Sequence, residues 1–252
     1  HKTFDAAKLE SALGVPVVAV SAKRRSCVSV LMKAAVERAK EIGADMLLSH
    51  HPLIFKPVKH VSDEDFIGRR LVSLIQADVS YYAMHTNFDS APGCMADIVA
   101  DRLNFVDQKP LELMGELSGT AYGIGKTGTL KKPMTGPELA REVKNRFGLP
   151  FVTVYGSELY ENEPVTRAAT CPGAGGSEIR EALRAGAQVF ITGDISHHEG
   201  IDAAAQGMMI IDAGHYGLEH VFMDFMEGFL RDKLPEEVAI EKMAVKFPAV
   251  VI

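Results

Sequence analysis

Four things are missing from this 252-residue chain, and each absence excludes a class of protein. No apolar run reaches the roughly 18 residues needed to span a bilayer, so a membrane-spanning helix is not expected. The N-terminal stretch is punctuated by charges and does not resemble a signal peptide, although the chain opens on His1 rather than a methionine and a few residues are expected ahead of it. There is no basic stripe either: the net charge is −6, which argues against a dedicated nucleic-acid binder. The single basic cluster, Lys23, Arg24 and Arg25, is too short for a phosphate clamp and reads as a solvated turn. Finally, Cys27, Cys94 and Cys171 are odd in number, far apart, and form no Cys-x-x-Cys pair. They read as reduced, buried thiols in a cytoplasmic protein rather than a disulfide framework or a thiolate metal site.

What is present is an ordinary globular composition, 47% hydrophobic and 24% charged, long enough for one large domain or two small ones. The patterning predicts a short helix over Phe4 to Leu13, a buried strand over Pro16 to Val20, and a helix from about Val28 to Ile42 closed by Gly43. A strand over Asp45 to Ser49, a helix from about Asp63 to Ile75 and a strand over Val79 to Met84 follow. This β-α-β rhythm predicts parallel pairing with helices covering the sheet. Residues 106–134 are strand-like and rich in turn residues, and a crossover between domains is placed there. Beyond it come a helix from Thr135 or Gly136 to Gly148, strands over Phe151 to Tyr155 and Thr166 to Cys171, and a flexible turn over Pro172 to Gly176. The rest reads as helix 177–185, strand 188–192, helix 199–206, strand 208–212, one long helix from about Tyr216 to Arg231, and a last strand over Val238 to Val245.

The chain resembles itself. Gly43 to Ser49 matches Gly186 to Thr192, and His85 followed by Asp89 matches His215 followed by Glu219. The expected fold is therefore α/β with mixed sheets, built as two similar lobes from an internal duplication. The first lobe is placed at 1–104 plus about 214–252, the second at about 105–213. Ligands in open α/β sheets bind beyond the carboxyl ends of the strands, so a site is expected in a cleft between the lobes.

The residues at those strand ends are His50, His51, His85, Asp89, Asp194, His197, His198, His215 and Glu219. Taken alone, the His50-His51 pair fits a surface turn as well as a ligand pair. Six of the chain's nine histidines falling in these few segments shifts the balance towards chemistry. Residues four apart at a helix start share a face, which puts His215 beside Glu219. Imidazole and carboxylate donors without thiolate suit zinc, iron, manganese or cobalt. So many donors exceed the needs of one tetrahedral ion and match a bridged pair roughly 3.5–4 Å apart.

On Ser49 to Phe55, His85 to Asp89, Thr192 to Asp194 and Gly214 to Glu219, the chain resembles the NIF-three-like proteins, dinuclear-metal proteins often labelled as the type 2 form of GTP cyclohydrolase I. These blocks occur in the family's order and span about residues 43–230. The resemblance implies that His50, His51, Asp89, His215 and Glu219 hold two divalent ions, with Glu219 or Asp89 bridging. It implies that His85 and His198 stand near the site either as groups that support the ligands or as catalytic acid–base groups, that Asp194 orients a histidine, and that the protein is a homohexamer. One departure stands out: the first strand runs into Ser21 to Arg25 where family members carry an aspartate.

Two other motifs do not hold up. Gly119 to Thr127 has one residue too many for a phosphate-binding loop and reads as a glycine-rich hairpin. Pro172 to Ser177, ahead of a helix, fits an anion cradle or a plain loop equally. The expected function is a metal-dependent hydrolase acting on a small molecule, such as a nucleotide or phosphoester, through a metal-activated water. The alternative is a metal-handling or partner-binding protein without turnover.

Overall fold

A computed structural model describes residues 34–247. The expected elements over Phe4 to Leu13 and Pro16 to Val20, the start of the helix near Val28, Cys27 and the divergent Ser21 to Arg25 segment lie outside the described residues. The fold is a mixed α/β one, and the described chain divides into two compact units, 34–85 with 222–247, and 86–221. No helix among the described residues is long and apolar enough to cross a membrane.

In the first unit, helix α1 occupies 34–41 and turns at Gly43, whose φ of 64° is open to glycine at no steric cost. Strand β1 (Met46–Ser49) then runs parallel to β2 (Ser80–Ala83), with Leu47 opposite Tyr81 and Ser49 opposite Ala83. Helix α2 (Phe66–Gln76) connects them. Its start is fixed by Asp65, whose Oδ1 accepts from the amides of Ile67 and Gly68 at 2.8 and 2.9 Å. Ala35, Val36, Ala39, Leu47, Leu53, Leu74 and Val79 form the core of this unit, and Met243 packs against it. The strand expected over Val238 to Val245 makes no ladder with any described residue. Side chains hold this tail instead. Arg38 Nε donates to Glu241 at 2.6 Å, Lys242 pairs with Asp224 at 2.7 Å and Glu227 at 2.8 Å, and Met243 supplies the apolar contact.

The second unit opens on a five-residue helix, α3 (Thr86–Ser90), and on α4 (Met95–Arg102), which the sequence reading missed. The signal for α4 was present: Met95, Ala96, Val99 and Ala100 recur on one helical face, and all four are buried. Two long strands, β3 (Phe105–Leu117) and β4 (Thr120–Met134), form the glycine-rich hairpin. Ser118 and Gly119 close it, both at positive φ, as a two-residue turn of the I′ kind requires. Helix α5 (Gly136–Arg146) carries a reciprocal cap between Thr135 and Glu138. Then come β5 (Thr153–Tyr155), β6 (Val165–Ala174), α6 (Ile179–Arg184), β7 (Val189–Gly193), α7 (His197–Ala205) and β8 (Met209–Asp212).

The six strands form one mixed sheet in the order β3-β4-β6-β7-β8-β5, parallel only across β6, β7 and β8. Phe190, Ile210, Ala169 and Met208 anchor its core. The long helix expected over 216–231 is interrupted at His220. It forms α8 (His215–Glu219) in the second unit and α9 (Val221–Lys233), which carries the chain back into the first.

One polar contact inside the second unit stands out. Lys126 on β4, its side chain only 7% exposed, meets Asp97 of α4 at 2.6 Å. Removing one partner of a buried pair strands the other charge, and the ammonium is the more deeply buried partner. Asp97→Ala is therefore expected to destabilise the protein by about 3 kcal/mol, and Lys126→Met, which leaves the better-solvated carboxylate, by clearly less. Denaturant titrations of the two variants rank them.

Candidate metal centre

In both units a pair of parallel strands ends beside ligand-type side chains, the position where α/β sheets place their sites. In the first unit His50 and His51 follow β1 directly, and His85 lies two residues beyond β2. The turn carrying the pair is tied down. The hydroxyls of Ser49 and Tyr81 both reach the His51 carbonyl, at 2.6 and 2.9 Å, and also bond to each other. Burial pushes the Tyr81 phenol up, so it keeps its proton.

The His50 ring is oriented by chemistry that admits one tautomer. Its Nδ1 lies 2.7 Å from the Met84 carbonyl, and a carbonyl only accepts. Nδ1 therefore carries the hydrogen, which makes the Nε2 lone pair the ring's ligand atom. The His50, His51 and His85 rings pack with centroids 4.8–5.3 Å apart, and one ligand atom from each lies within 4.8 Å of the other two. His50 and His51 are buried and His85 half-buried.

In the second unit β8 delivers His215 at the start of α8. Its Nε2 stands 3.0 Å from Glu219 Oε1, one helical turn on, and its Nδ1 stands 3.3 Å from Asp194 Oδ2. Both His215 and Glu219 are almost wholly buried. Burial drives the His215 pKa down, but the Glu219 charge and the bond to Asp194 outweigh it and raise the value to about 9. An imidazole between two carboxylates favours a cation, here a proton.

Asp212 organises the loops around this histidine. Its carboxylate accepts the backbone N–H of Asp194 at 3.1 Å, Ile195 at 3.0 Å and Gly214 at 2.8 Å, although burial pushes its own pKa up. Asp194 itself adopts a φ of 55°, a conformation rare for a side chain-bearing residue. Asp89, on α3, is half-buried. Cys171 is driven up first by burial and then by the charges of Glu178, Asp89, Glu219 and Glu112. The thiol thus stays protonated, with both Asp89 and Glu219 close enough to act on it.

Two glycines make the geometry possible, and both lie in motifs the sequence marked for other reasons. Pro172 to Ala174 is not a flexible turn but the end of β6, and Gly173, at φ 84°, packs against the site. A Cβ there would stand 2.6 Å from Glu219 Oε1 and 3.4 Å from His215 Nε2. Gly193 ends β7, where a Cβ would meet the Gly214 carbonyl carbon at 2.4 Å and the His215 nitrogen at 2.5 Å. The motif that could have flagged them is Thr192-Gly193-Asp194, read for its aspartate rather than its glycine.

The structure therefore brings His85 to His50 and His51, and Asp194 and Glu219 to His215. His198 is placed differently: it sits exposed on the first turn of α7, its ring 5.6 Å from that of His197. His220, which carried no expectation, is a core residue whose Nδ1 bonds the Tyr216 carbonyl at 3.2 Å. Each unit gathers its own donors, three imidazoles in the first and an imidazole with carboxylates in the second, and Gly173 leaves open a space that any Cβ would fill. This His/Glu/Asp set fits a metal site.

Comparison with known proteins agrees with this chemistry. The family model described as Duf34/NIF3 (NGG1p interacting factor 3) matches residues 20–248. A Clostridium perfringens protein named GTP cyclohydrolase 1 type 2 homolog is 30% identical over 208 residues, covering 81% of this chain and 76% of the relative. A Streptococcus pneumoniae protein of the same name is 33% identical over 196 residues, covering 77% and 72%. Among solved structures, a Bacillus cereus protein related to NIF3 superposes with a TM-score of 0.76 over 94% of this chain and 88% of that one, at 19% identity, and so shares the fold.

The Asp212 contacts generate a test. Asn in its place would turn an NH2 group towards backbone donors, so Asp212→Asn is expected to cost about 2 kcal/mol at neutral pH. Thermal unfolding measures the loss, and the His215 ring signals in a proton–nitrogen NMR spectrum should shift with it.

Proposed function

The chain belongs to the Duf34/NIF3 family, and from that premise we propose that it is a metal-dependent hydrolase whose two ligand sets, His50 and His51 with Asp89, His215 and Glu219, together hold two divalent ions. The observation that supports this reading is the orientation of His50, whose Nδ1 contact with the Met84 carbonyl makes Nε2 the acceptor atom of the ring within a cluster of three histidines. When bound, such a pair of ions lowers the pKa of a water and polarises the group it attacks. The residues of the chain do the rest. Tyr81 and Ser49 fix the His50-His51 turn, Asp194 orients His215, and Gly173 keeps Glu219 in reach of its partner. His85, half-buried and touching both histidine rings, is placed to take up or hand on a proton at its ring nitrogen. His198 is assigned the same task less directly, from an exposed helix start. The substrate is a nucleotide or phosphoester, in keeping with the name the bacterial relatives carry, and assembly into a hexamer follows the family resemblance.

The test combines metal analysis with turnover. Elemental analysis of untreated protein should give two ions per chain, and His50→Ala or His215→Ala should reduce that by one or more. Hydrolysis of nucleotides or phosphoesters should fall at least about 100-fold on chelation and return with added metal. Glu219→Gln that keeps its metals yet hydrolyses at the full rate would overturn the mechanism. Bound metal with no turnover of any phosphorylated substrate would favour metal handling.

A further inference from the structure

Among the described residues, the connection between β1 and α2 is the longest irregular stretch of the first unit, covering residues 50–65 without helix or strand. Connections of this kind in α/β units usually take about 2–6 residues, and longer ones tend to be functional. It is anchored at both ends. Leu53 is 5% exposed within the core, and Arg69 donates to the carbonyls of Asp63 and Glu64 at 3.0 and 3.1 Å. Between the anchors the composition inverts what folding alone would choose. Phe55 is 64% exposed, with Ile54 and Val61 also exposed. Lys56, Lys59 and His60 are exposed, and no acidic residue occurs between 50 and 62 in a chain of net charge −6. Neither lysine is engaged in an ion pair among the described residues.

The aromatic ring is not placed at random. Phe55 meets the His85 ring edge-on, with centroids 6.1 Å apart, and His85 in turn packs on His51 at 4.8 Å. A solvent-facing aromatic face adjoining the histidine cluster, followed at once by uncompensated cations, matches one ligand chemistry. Flat rings stack on exposed aromatics, and phosphates seek ammonium groups. We propose that Phe55, Lys56 and Lys59 form the subsite that binds the substrate, stacking a planar aromatic ring on Phe55 and holding its phosphate with the lysines. This rests on the reading that chemistry occurs at the His50-His51-His85 cluster, and it assigns the substrate class as a nucleotide rather than a phosphoester without a ring.

Calorimetric titration of the full chain with guanosine 5′-monophosphate, ribose 5-phosphate and guanosine separates the two contributions. The nucleotide should bind tightest. Phe55→Ala should weaken it about tenfold while leaving ribose 5-phosphate within about twofold, and Phe55→Tyr should restore it. The double variant Lys56→Gln, Lys59→Gln should weaken both phosphates about tenfold, flatten their salt dependence and spare guanosine. Metal content is measured on the same samples. If the native protein binds none of the three at millimolar concentration, or Phe55→Ala binds the nucleotide normally, the subsite is refuted. If Phe55→Ala alters only the oligomeric state, the segment is an interface between copies and the proposal also fails. Ring-dependent nucleotide binding in a protein that holds no metal would instead overturn the hydrolase mechanism and leave the subsite standing.

Discussion

The second unit's chemistry depends on how closely two neighbouring strand ends approach. At Gly193 the end of β7 lies so near the Gly214–His215 peptide that no side chain fits between them. That approach lets one carboxylate, Asp212, gather amides from both loops at once, and it sets Asp194 beside the His215 ring. In the first unit the corresponding constraint is hydrogen bonding rather than sterics. Two hydroxyls converge on the His51 carbonyl, and the Met84 carbonyl selects the tautomer of His50. The His50 ring is thus oriented by a backbone carbonyl, and the His215 ring by carboxylate side chains.

Much of this was legible in the sequence, and the reasons are specific. The strand-helix-strand elements around β1, β2, β7 and β8 appear where glycine stops and apolar runs placed them, since Gly43 and Gly186 do adopt positive φ before their strands. In both halves two parallel strands are followed by a five-residue helix, α3 or α8, whose fourth or fifth residue is an acid. The pairing of His215 with Glu219 followed from helix spacing; the family resemblance implied that Asp194 orients a histidine, and the structure gives His215 as its neighbour.

What was not legible has a common cause. Gly173 and Gly193 matter for the atoms they lack, and only three-dimensional neighbours reveal that; in sequence the Pro-Gly-Ala-Gly-Gly run fits an anion cradle or a plain loop equally, and its first three residues in fact end β6 beside His215 and Glu219. The tail beyond Pro235 alternates like a strand but is held by ion pairs to Arg38, Asp224 and Glu227, which no local pattern announces. The ring orientation of His50 likewise depends on a carbonyl 34 residues away.

Helix α8 is five residues long, far below the length at which a helix persists on its own, so it exists because β6 and β7 support it. His215 and Glu219 therefore keep their spacing only while the sheet beneath them stays folded. Any cation gripping both side chains acts as a staple on that sheet, so occupancy and foldedness become a single equilibrium seen from two sides.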